Sequence, residues 1–599
     1  MSTNTISTLL NPIRSKLRSY EQPIYYTFLV ACTLVLTLLS LRWMGFDLQL
    51  FSRAYIGGVG DPLLNSWAIY QGIYNLSHWP INLGYSTIFY NDSASFAYTI
   101  APYGISLTML PVFFIFGQNM ELTYNTYYIL TFILTAWSAS IIIKYLLAPG
   151  YIISSIAALI VAFSQFRFLH AGHIETLSTQ FLLISIYLLH RLIDQPHWKL
   201  SLLLSISFWF CLLTSGYLGV IFVIASTIIT AFIYIYIAPH HRNKIIQQLI
   251  VAGGLAAIFC LPFLLFRLQN EAASSGQSFE QSLVYSAKLE GWLSGTSHIY
   301  RQATPFQGEG AVFIGFVPII LSLMAWRSRD ILDRFESLMP RTLSRRDVVV
   351  LYAVITVFGY ILSLGPVLQV GDTKSVPLPY ILLMQIPVFS WIRVPARFIL
   401  LAVLGTSILS SALLYVVWKT RTFVTASIMT TCLVVLLLAE LIPANGDGSG
   451  NLVTSLRRKA IFSGGPLQGV VFDKQAPAYR WLAEQPPGTP VMHYPITGDA
   501  SYTYYAYLPV HQQPMLNGGG SFLPTWFVSA NWSAFPDQQT IHLLQERNIR
   551  YILIHRDLLS QAEKEALGRR WQEYESSYGA FERVVTFGEV DIYRVPLVR

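Results

Sequence analysis

The chain contains a succession of apolar stretches, each long enough to cross a lipid bilayer. Segments such as 123–143, 217–238 and 394–417 supply about 20 residues each, the length that a helix needs to span the hydrocarbon core. Hydrophobic residues make up 53% of the sequence and charged residues only 12%, with a mean hydropathy of +0.49. A soluble domain cannot tolerate this composition, so we predict an all-α polytopic membrane bundle.

The charged residues and the cysteines exclude other classes of protein. The net charge is +8, but the Lys and Arg residues lie in short loops between apolar segments, so nucleic acid is not an expected partner. The four cysteines all lie in apolar runs and offer neither a disulfide framework nor a CxxC metal site. Ile24–Met44 has no small-residue cleavage site after it, so we expect it to remain as the first spanning helix.

The loop 327–347 fixes the predicted orientation because it contains six arginines, and positive loop charges mark the cytoplasmic side. Alternation from this loop predicts about eleven crossings, with the N-terminus inside and the C-terminus outside. The crossings are expected near 24–44, 123–143, 151–168, 174–190, 200–214, 217–238, 249–267, 311–326, 348–367, 394–417 and 422–442.

A long first loop, residues 45–121, contains a further apolar segment at 101–117. This segment is short, holds Pro102 and Pro111, and is followed by Glu121, which has no compensating charge nearby in the sequence. We therefore interpret it as an interfacial or re-entrant segment of an outer loop. The predicted organisation is a cytoplasmic N-terminus at 1–22, a transmembrane domain at 23–442 with outer loops at 45–121 and 268–310, and an outer domain at 443–599.

The composition changes after about Pro443 to a linker rich in Gly, Pro and charged residues, at 443–448. Beyond the linker, Val491–Pro495 and Tyr551–Ile554 have the pattern of strands, and Asp537–Asn548 has a cap and helical periodicity. The sequence therefore predicts a C-terminal α/β domain on the extracytoplasmic side.

Glycines and a carboxylate stand together early in the first loop, in the segment Gly57–Asp61. Glycines bring the backbone close to a ligand, and a carboxylate just beyond them can accept a proton from an attacking hydroxyl. A cap for the helix that begins near Pro62 is the alternative role of Asp61. The chain resembles here the GT-C superfamily of glycosyltransferases, which hold an acidic residue early in a long first outer loop. The resemblance implies that Asp61 is the catalytic base.

The segment Arg167–Glu175 is a second candidate site, at the predicted second outer loop. Its His173-Ile174-Glu175 resembles the His-x-Glu of some lipid-linked-oligosaccharide mannosyltransferases, where oligosaccharyltransferase catalytic subunits carry an acidic pair. The resemblance implies that His170, His173 and Glu175 bind substrate. The alternative is an interfacial polar cluster between two helices. A divalent cation is left open but is not required, because hard cations prefer more carboxylate oxygens than one loop offers.

Arg393 and Arg397 stand where a late outer loop enters the membrane, within Trp391–Phe398. A guanidinium group binds phosphate oxygens bidentately, so either arginine is suited to hold a lipid phosphate. In the GT-C superfamily a basic residue from a late outer loop often has that role, although this spacing is not one of its fixed signatures. Snorkelling anchors at the membrane interface are the alternative.

Two further carboxylates are candidates for contacts with substrate. Glu309 lies in the 268–310 loop before Phe313–Phe316, and Asp92 follows Tyr90 in the first loop. A solvated loop carboxylate and a turn residue are the alternative interpretations. These segments and Met515–Gly519 together resemble a widespread group of bacterial membrane proteins that is placed with the GT-C transferases, over most of the chain.

The predicted topology brings these polar residues to the outer face, and polar residues near membrane depth are usually functional. A donor used on that face cannot be a cytosolic nucleotide sugar. We therefore predict an inverting, hexosyltransferase-type glycosyltransferase of the cell membrane that transfers a sugar from a polyprenyl-phosphate carrier to an acceptor hydroxyl. Its partners would be the lipid donor, membrane lipids and an unidentified glycan, lipid or protein acceptor; no cofactor is assigned.

Two alternatives to this function stay open at the level of the sequence. The first is a protein of GT-C fold that binds a glycolipid without catalysis. The second is a lipid or glycan transporter, which would place charges at mid-membrane in discontinuous helices and show repeat symmetry between its halves. The sequence pattern indicates neither feature, and its charged residues collect at one predicted interface.

Overall fold

The computed structural model describes residues 3–92, 95–237, 241–271, 279–293, 309–335, 342–370, 373–386, 389, 392–441, 470–520 and 522–596. Arg341, Trp391 and the linker 443–448, which the sequence analysis used, lie outside the described residues. The described chain forms a polytopic helical part followed by a C-terminal α/β domain, and this fold class is as predicted.

Within the described residues, nine helical spans are long and apolar enough to cross a membrane. These spans are Gln22–Arg42, Met120–Leu147, Tyr151–Leu169, Ile174–Asp194, Gly216–Tyr236, Arg242–Leu265, Arg345–Ser363, Pro395–Thr420 and Phe423–Leu441. The helices of this part are α1 (Thr3–Trp43), α2 (Asp61–Ser77), α3 (Tyr103–Ile115), α4 (Met120–Leu147), α5 (Tyr151–Ala162), α6 (Gln165–Leu169), α7 (Ile174–Leu177), α8 (Gln180–Asp194), α9 (Trp198–Thr214), α10 (Gly216–Phe232), α11 (Arg242–Glu271), α12 (Phe279–Val284), α13 (Phe316–Arg327), α14 (Arg329–Leu332), α15 (Arg345–Ser363), α16 (Tyr380–Leu383), α17 (Ile399–Thr420) and α18 (Phe423–Leu441).

Three of these helices, α3, α9 and α13, are apolar but shorter. Each predicted crossing coincides with one of the nine long spans or with α9 or α13. The α3 helix has 13 residues and extends about 20 Å, less than the ~30 Å of a hydrocarbon core, and it packs against α2 and α9. The count of eleven crossings and their sidedness remain predictions.

The α17 helix lies at the centre of the bundle, where every residue from Ile399 to Val416 is buried. Its contact with α15 is close because of two glycines. A Cβ added at Gly359 would lie 2.7 Å from the Ala402 nitrogen, and one at Gly405 would lie 2.8 Å from the Tyr352 carbonyl. Small residues at helix interfaces allow backbones to approach in this way.

The C-terminal domain contains a four-stranded sheet of order β3-β4-β6-β5, in which β3 and β4 are parallel and the other pairs antiparallel. Its helix α23 begins after the capping residue Asp537, and the predicted strands and helix of this domain are confirmed. A separate hairpin, β1 and β2, follows α15. The bounds are β1 (Val367–Val370), β2 (Thr373–Pro377), α19 (Pro477–Ala483), β3 (Val491–Tyr494), α20 (Gly498–Tyr505), α21 (Leu508–His511), α22 (Thr525–Ser529), α23 (Gln538–Glu546), β4 (Tyr551–His555), α24 (Gln561–Tyr578), β5 (Glu582–Phe587) and β6 (Val590–Arg594).

An extended segment, Pro514–Asn517, joins this sheet to the first loop. On one side the Leu516 amide donates to the Val491 carbonyl of β3 at 2.8 Å, and on the other the Met515 amide donates to the Thr87 carbonyl at 2.8 Å. The Tyr90 amide returns a hydrogen bond to the Met515 carbonyl at 3.0 Å. Backbone hydrogen bonds through this segment therefore connect the first loop to β3 of the C-terminal domain.

Two ion pairs and a tight contact reinforce this junction. Glu121, which has no compensating charge in the sequence pattern, pairs with Lys474 of the C-terminal domain at 2.6 Å. Asp92 pairs with Arg547 at 2.9 Å. A Cβ added at Gly518 would lie 2.3 Å from the Phe89 ring, so the docked segment has no room for a side chain there.

Candidate active site

Asp61 is the first residue of α2 and follows the glycine-rich turn. Gly60, at the N-cap position, has a φ of 113°, a positive value that favours glycine, and no side chain caps the helix. A Cβ at Gly57 would lie 2.6 Å from Pro62 Cγ, so this turn also needs a residue without a side chain. The Asp61 carboxylate is directed to His173 instead of the helix backbone.

Two buried asparagines hold the turn against the rest of the bundle. Asn125 of α4 accepts a hydrogen bond from the Ile56 amide at 2.9 Å and donates to the Ala54 carbonyl at 2.7 Å. Asn65 of α2 donates to the Gly172 carbonyl at 3.2 Å. The turn before Asp61 and the loop before His173 are thereby fixed to each other.

Both long spans that flank the loop His170–His173 are interrupted, between α5 and α6 and between α7 and α8. The apolar pattern of the sequence does not indicate these breaks. Arg167 of α6 is fully buried at the second break, where it donates to the Leu177 carbonyl and to hydroxyls of Thr179 at 3.1 Å and Thr131 at 3.2 Å. This arginine holds the interrupted helices to α4.

His173 lies between two carboxylates. Its Nε2 is 2.9 Å from Asp61 Oδ2 and 3.1 Å from Glu309 Oε1. The other oxygen of Glu309 is 3.1 Å from His170 Nε2, although this pair lacks the alignment of a hydrogen bond. The Asp61 side chain is 35% exposed, so its carboxylate can meet a substrate while it remains paired.

Arg397 extends the same network from the short 3-10 helix Pro395–Phe398. Its Nη2 donates to Glu309 Oε1 at 3.1 Å, its Nη1 lies 3.3 Å from Glu175 Oε1, and its guanidinium lies 4.4 Å from the centre of the Tyr217 ring. Arg393 does not join these ion pairs in the described residues. Its guanidinium lies 4.9 Å from the centre of the Tyr285 ring.

The network shifts the protonation of three groups that lie outside the spanning segments. Burial would raise the pKa of Asp61, but the charge of His173 overcomes this and holds it below its ordinary value. Burial would lower the pKa of His173, but Glu309 and Asp61 together raise it to about 9. Burial would raise the pKa of Glu309, whereas Arg397 and His173 hold it well below its usual range. At neutral pH, imidazolium His173 therefore bridges two carboxylates.

The structure thus brings together six of the eight residues that the sequence analysis singled out: Asp61, His170, His173, Glu175, Glu309 and Arg397. Asp92 is engaged elsewhere: one carboxylate oxygen pairs with Arg547, and the other accepts a hydrogen bond from Trp526 at 2.8 Å. Arg393 stands beside the network without an ion pair in the described residues.

Sequence reasoning missed residues that support this site. Glu440 of α18 accepts hydrogen bonds from the amides of Phe316 and Val317, and it so fixes the start of α13, seven residues after Glu309. Tyr124 of α4 is fully buried, and its hydroxyl has no hydrogen-bond partner among the described residues. A charged residue inside an apolar helix usually has such a role. The position of Glu440 within α18 was therefore a signal in the sequence.

The described residues do not form a metal centre in this arrangement. No group of three or more His, Cys, Asp or Glu side chains among them could hold a metal ion. The carboxylates of Asp61 and Glu309 face His173, and that of Glu175 faces Arg397. We therefore assign no metal ligands.

Comparison with protein families gives one match. The family model described as "Domain of unknown function (DUF6311)" matches residues 67–441, which is more than half of the chain. No curated protein matches the sequence.

Solved membrane glycosyltransferases have a similar fold. The arabinofuranosyltransferase AftD from mycobacteria aligns with a TM-score of 0.53 and 14% identity, over 96% of this chain and 40% of AftD. A mutant of AftD aligns with a TM-score of 0.55 and 14% identity, over 96% and 42%. The oligosaccharyltransferase of Archaeoglobus fulgidus gives 0.49 and 12%, over 96% and 75%. This chain spans less than half the length of AftD, and the predicted resemblance to the GT-C superfamily is confirmed for the fold.

Proposed function

We propose that this chain, which belongs to the family described as Domain of unknown function (DUF6311), is a membrane glycosyltransferase that uses a polyprenyl-phosphate sugar as donor. The observation that carries the proposal is the pairing of Asp61 with His173 in a network that also contains Arg397. A base for an acceptor hydroxyl and a cation for a leaving phosphate therefore lie in one network of contacting side chains.

The proposed step is an inverting displacement at the anomeric carbon of the donor sugar. The acceptor hydroxyl oxygen forms the new glycosidic bond while the bond between the anomeric carbon and the phosphate oxygen breaks. Asp61 takes the hydroxyl proton, and the electron pair leaves with the lipid phosphate. Asp61 is ionised at neutral pH because His173 lowers its pKa, and its partly exposed carboxylate is accessible to the hydroxyl.

The leaving phosphate would be held by Arg397, whose planar guanidinium can donate to two phosphate oxygens. Its stacking on Tyr217 and its bond to Glu175 orient that group. Arg393 stands four residues earlier on the same segment and is the second candidate for this contact. In this proposal Glu175 and His173 orient the donor sugar or the acceptor, the reaction takes place at the extracytoplasmic face, and the C-terminal domain binds the acceptor.

The test is the transfer of a radiolabelled sugar from a lipid carrier to acceptors in membranes that contain the protein. We expect transfer with the wild type and loss of transfer with Asp61→Ala. The matched control is Asp47→Ala, because Asp47 is an aspartate of the same loop whose side chain caps a short helix, through the Gln49 amide. Equal transfer by both variants would refute the proposal.

A transporter is the second candidate, and the interrupted helices around His170–His173 favour it, since discontinuous helices line many transport sites. A transporter and a transferase are expected to give different results in proteoliposomes. A transporter moves labelled lipid across the bilayer without forming a new glycosidic bond, whereas the transferase consumes the carrier in the presence of an acceptor.

A further inference from the structure

Glu309 lies at the centre of the network, and its carboxylate has three nitrogen neighbours. Oε1 is 3.1 Å from Arg397 Nη2 and 3.1 Å from His173 Nε2, and Oε2 is 3.1 Å from His170 Nε2. The side chains of Arg397 and His170 are 5% and 1% exposed. One anionic group thus occupies a nearly buried pocket whose walls supply N–H donors.

The donors of this pocket are fixed independently of Glu309. Arg397 is also tied to Glu175, and the second nitrogen of the His170 ring lies 2.9 Å from the Phe166 carbonyl. The carbonyl can only accept, so His170 Nδ1 carries a proton, and Nε2 is the ring nitrogen that faces the anion. The pocket therefore keeps its shape when its anion is exchanged.

A phosphate group matches this pocket better than a carboxylate does. The phosphate of the donor is a diester with one negative charge, as a carboxylate has, but its oxygens are arranged tetrahedrally, so it can contact the Arg397 fork and both imidazoles at once. As the sugar leaves, the phosphate becomes a monoester with more negative charge and a third free oxygen. His170 Nε2 and Glu309 Oε2 lack hydrogen-bond alignment at 3.1 Å, so the carboxylate does not complete its contacts in this pocket.

We propose that Arg397, His170 and His173 form the pocket for the phosphate of the lipid donor, and that Glu309 occupies this pocket until the phosphate displaces it. This inference rests on the proposed function, since it assigns the donor site of that reaction. Rotation about the Glu309 side-chain bonds would withdraw its carboxylate from the pocket, while Asp61 keeps its pair with His173. Donor binding and the removal of an internal competitor are then one event.

The experiment measures binding of radiolabelled undecaprenyl phosphate to the full-length protein in nanodiscs, without an acceptor. Glu309→Gln keeps the size of the side chain and removes the competing charge, so we expect binding about tenfold tighter than wild type, equivalent to about 1.4 kcal/mol. Glu290→Gln, which neutralises an exposed carboxylate of the same loop, should bind as wild type. Glu309→Asp keeps the charge on a shorter side chain and should give a smaller gain.

Inorganic phosphate and undecaprenol separate the headgroup from the lipid. Glu309→Gln should also strengthen competition by inorganic phosphate and leave undecaprenol binding unchanged. Unchanged or weaker binding of undecaprenyl phosphate by Glu309→Gln, or a gain with undecaprenol, would overturn the inference. Arg397→Lys tests the proposed function separately: wild-type binding by this variant would show that Arg397 does not form a phosphate site. Weaker binding by Arg397→Lys without a gain in Glu309→Gln would refute only the displacement of Glu309 by phosphate. Should Glu309→Gln fail to fold, the gain in Glu309→Asp decides.

Discussion

Asparagine at position 61 preserves the shape of the aspartate side chain and removes its capacity to take a proton. General-base assistance is worth about 10²–10⁴-fold, so Asp61→Asn should lower turnover by that factor, which corresponds to about 3–5 kcal/mol of activation free energy. The side chain is 35% exposed and solvent screens its ion pair, so the free energy of unfolding should change by less than about 1 kcal/mol.

The donor pocket should survive this substitution. His173 keeps Glu309 as an anionic neighbour at 3.1 Å, and the asparagine carbonyl can still accept from the imidazole. Binding of undecaprenyl phosphate by Asp61→Asn should therefore stay within about threefold of wild type, a change of less than 1 kcal/mol. Turnover is measured as radiolabelled sugar transferred in proteoliposomes, and donor binding is measured in parallel on the same preparation.

Asp47→Asn is the control for an effect on helix capping, because Asn caps a helix about as well as Asp. The structure already separates the two roles, since no side chain caps α2 and the Asp61 carboxylate contacts His173. Near-normal transfer by Asp61→Asn would refute the reasoning and move the search for the base to Glu175. Loss of transfer together with loss of donor binding would make Asp61 a residue of the binding site.

Arg397→Lys should weaken binding of undecaprenyl phosphate, the kind of lipid phosphate that the proposed reaction releases, by about 1.5–3 kcal/mol because the planar fork is lost. Wild-type affinity in this titration would reduce the arginine to an anchor. Thermal stability should decline as the pH rises through about 9, because the folded state raises the pKa of His173. The contribution of His173 to stability is complete below its unfolded pKa of 6.5 and disappears when the imidazolium loses its proton. A His173→Asn variant melted from pH 6 to 10 should lack this decline. Arg167→Met should lower the free energy of unfolding by about 1–3 kcal/mol, since the buried Leu177 carbonyl loses its donor; an unchanged melting temperature would contradict this. In a variant without the native cysteines, an impermeant thiol reagent applied to intact cells should label Gln118→Cys and not Asp330→Cys, whereas protection of both would overturn the topology of the first loop.

The positions of the spanning helices could be predicted because hydropathy is a local property of about 20 residues. Loop charges then placed Asp61, His173 and Arg397 on one predicted face, and the structure brings them into one network. Which of the candidate residues join the network depends on tertiary contacts. Nothing in the spacing of Arg393 and Arg397 indicates that only Arg397 is turned toward Glu175 and Glu309.

Partners that are distant in the chain explain the other differences. Asp92 pairs with an arginine 455 residues later, and Glu121 with a lysine 353 residues later, so local sequence contains no information on either pair. Arg167 supports the break between α7 and α8, where its guanidinium donates to the Leu177 carbonyl and to the Thr179 hydroxyl. An apolar pattern alone predicts continuous helices at these positions.

The C-terminal domain also contacts the helix that begins at Asp61, the proposed base. Trp67, six residues after Asp61 on α2, stacks on Tyr505 of α20 with ring centres 5.1 Å apart. The Asn517 side chain accepts from the His493 amide and donates to the His493 carbonyl, both at 2.7 Å, so the segment that pairs with the first loop is held to β3 as a strand would be. Because α2 begins at Asp61, the stacking of Trp67 on Tyr505 ties the C-terminal domain to the same helix that carries the proposed base.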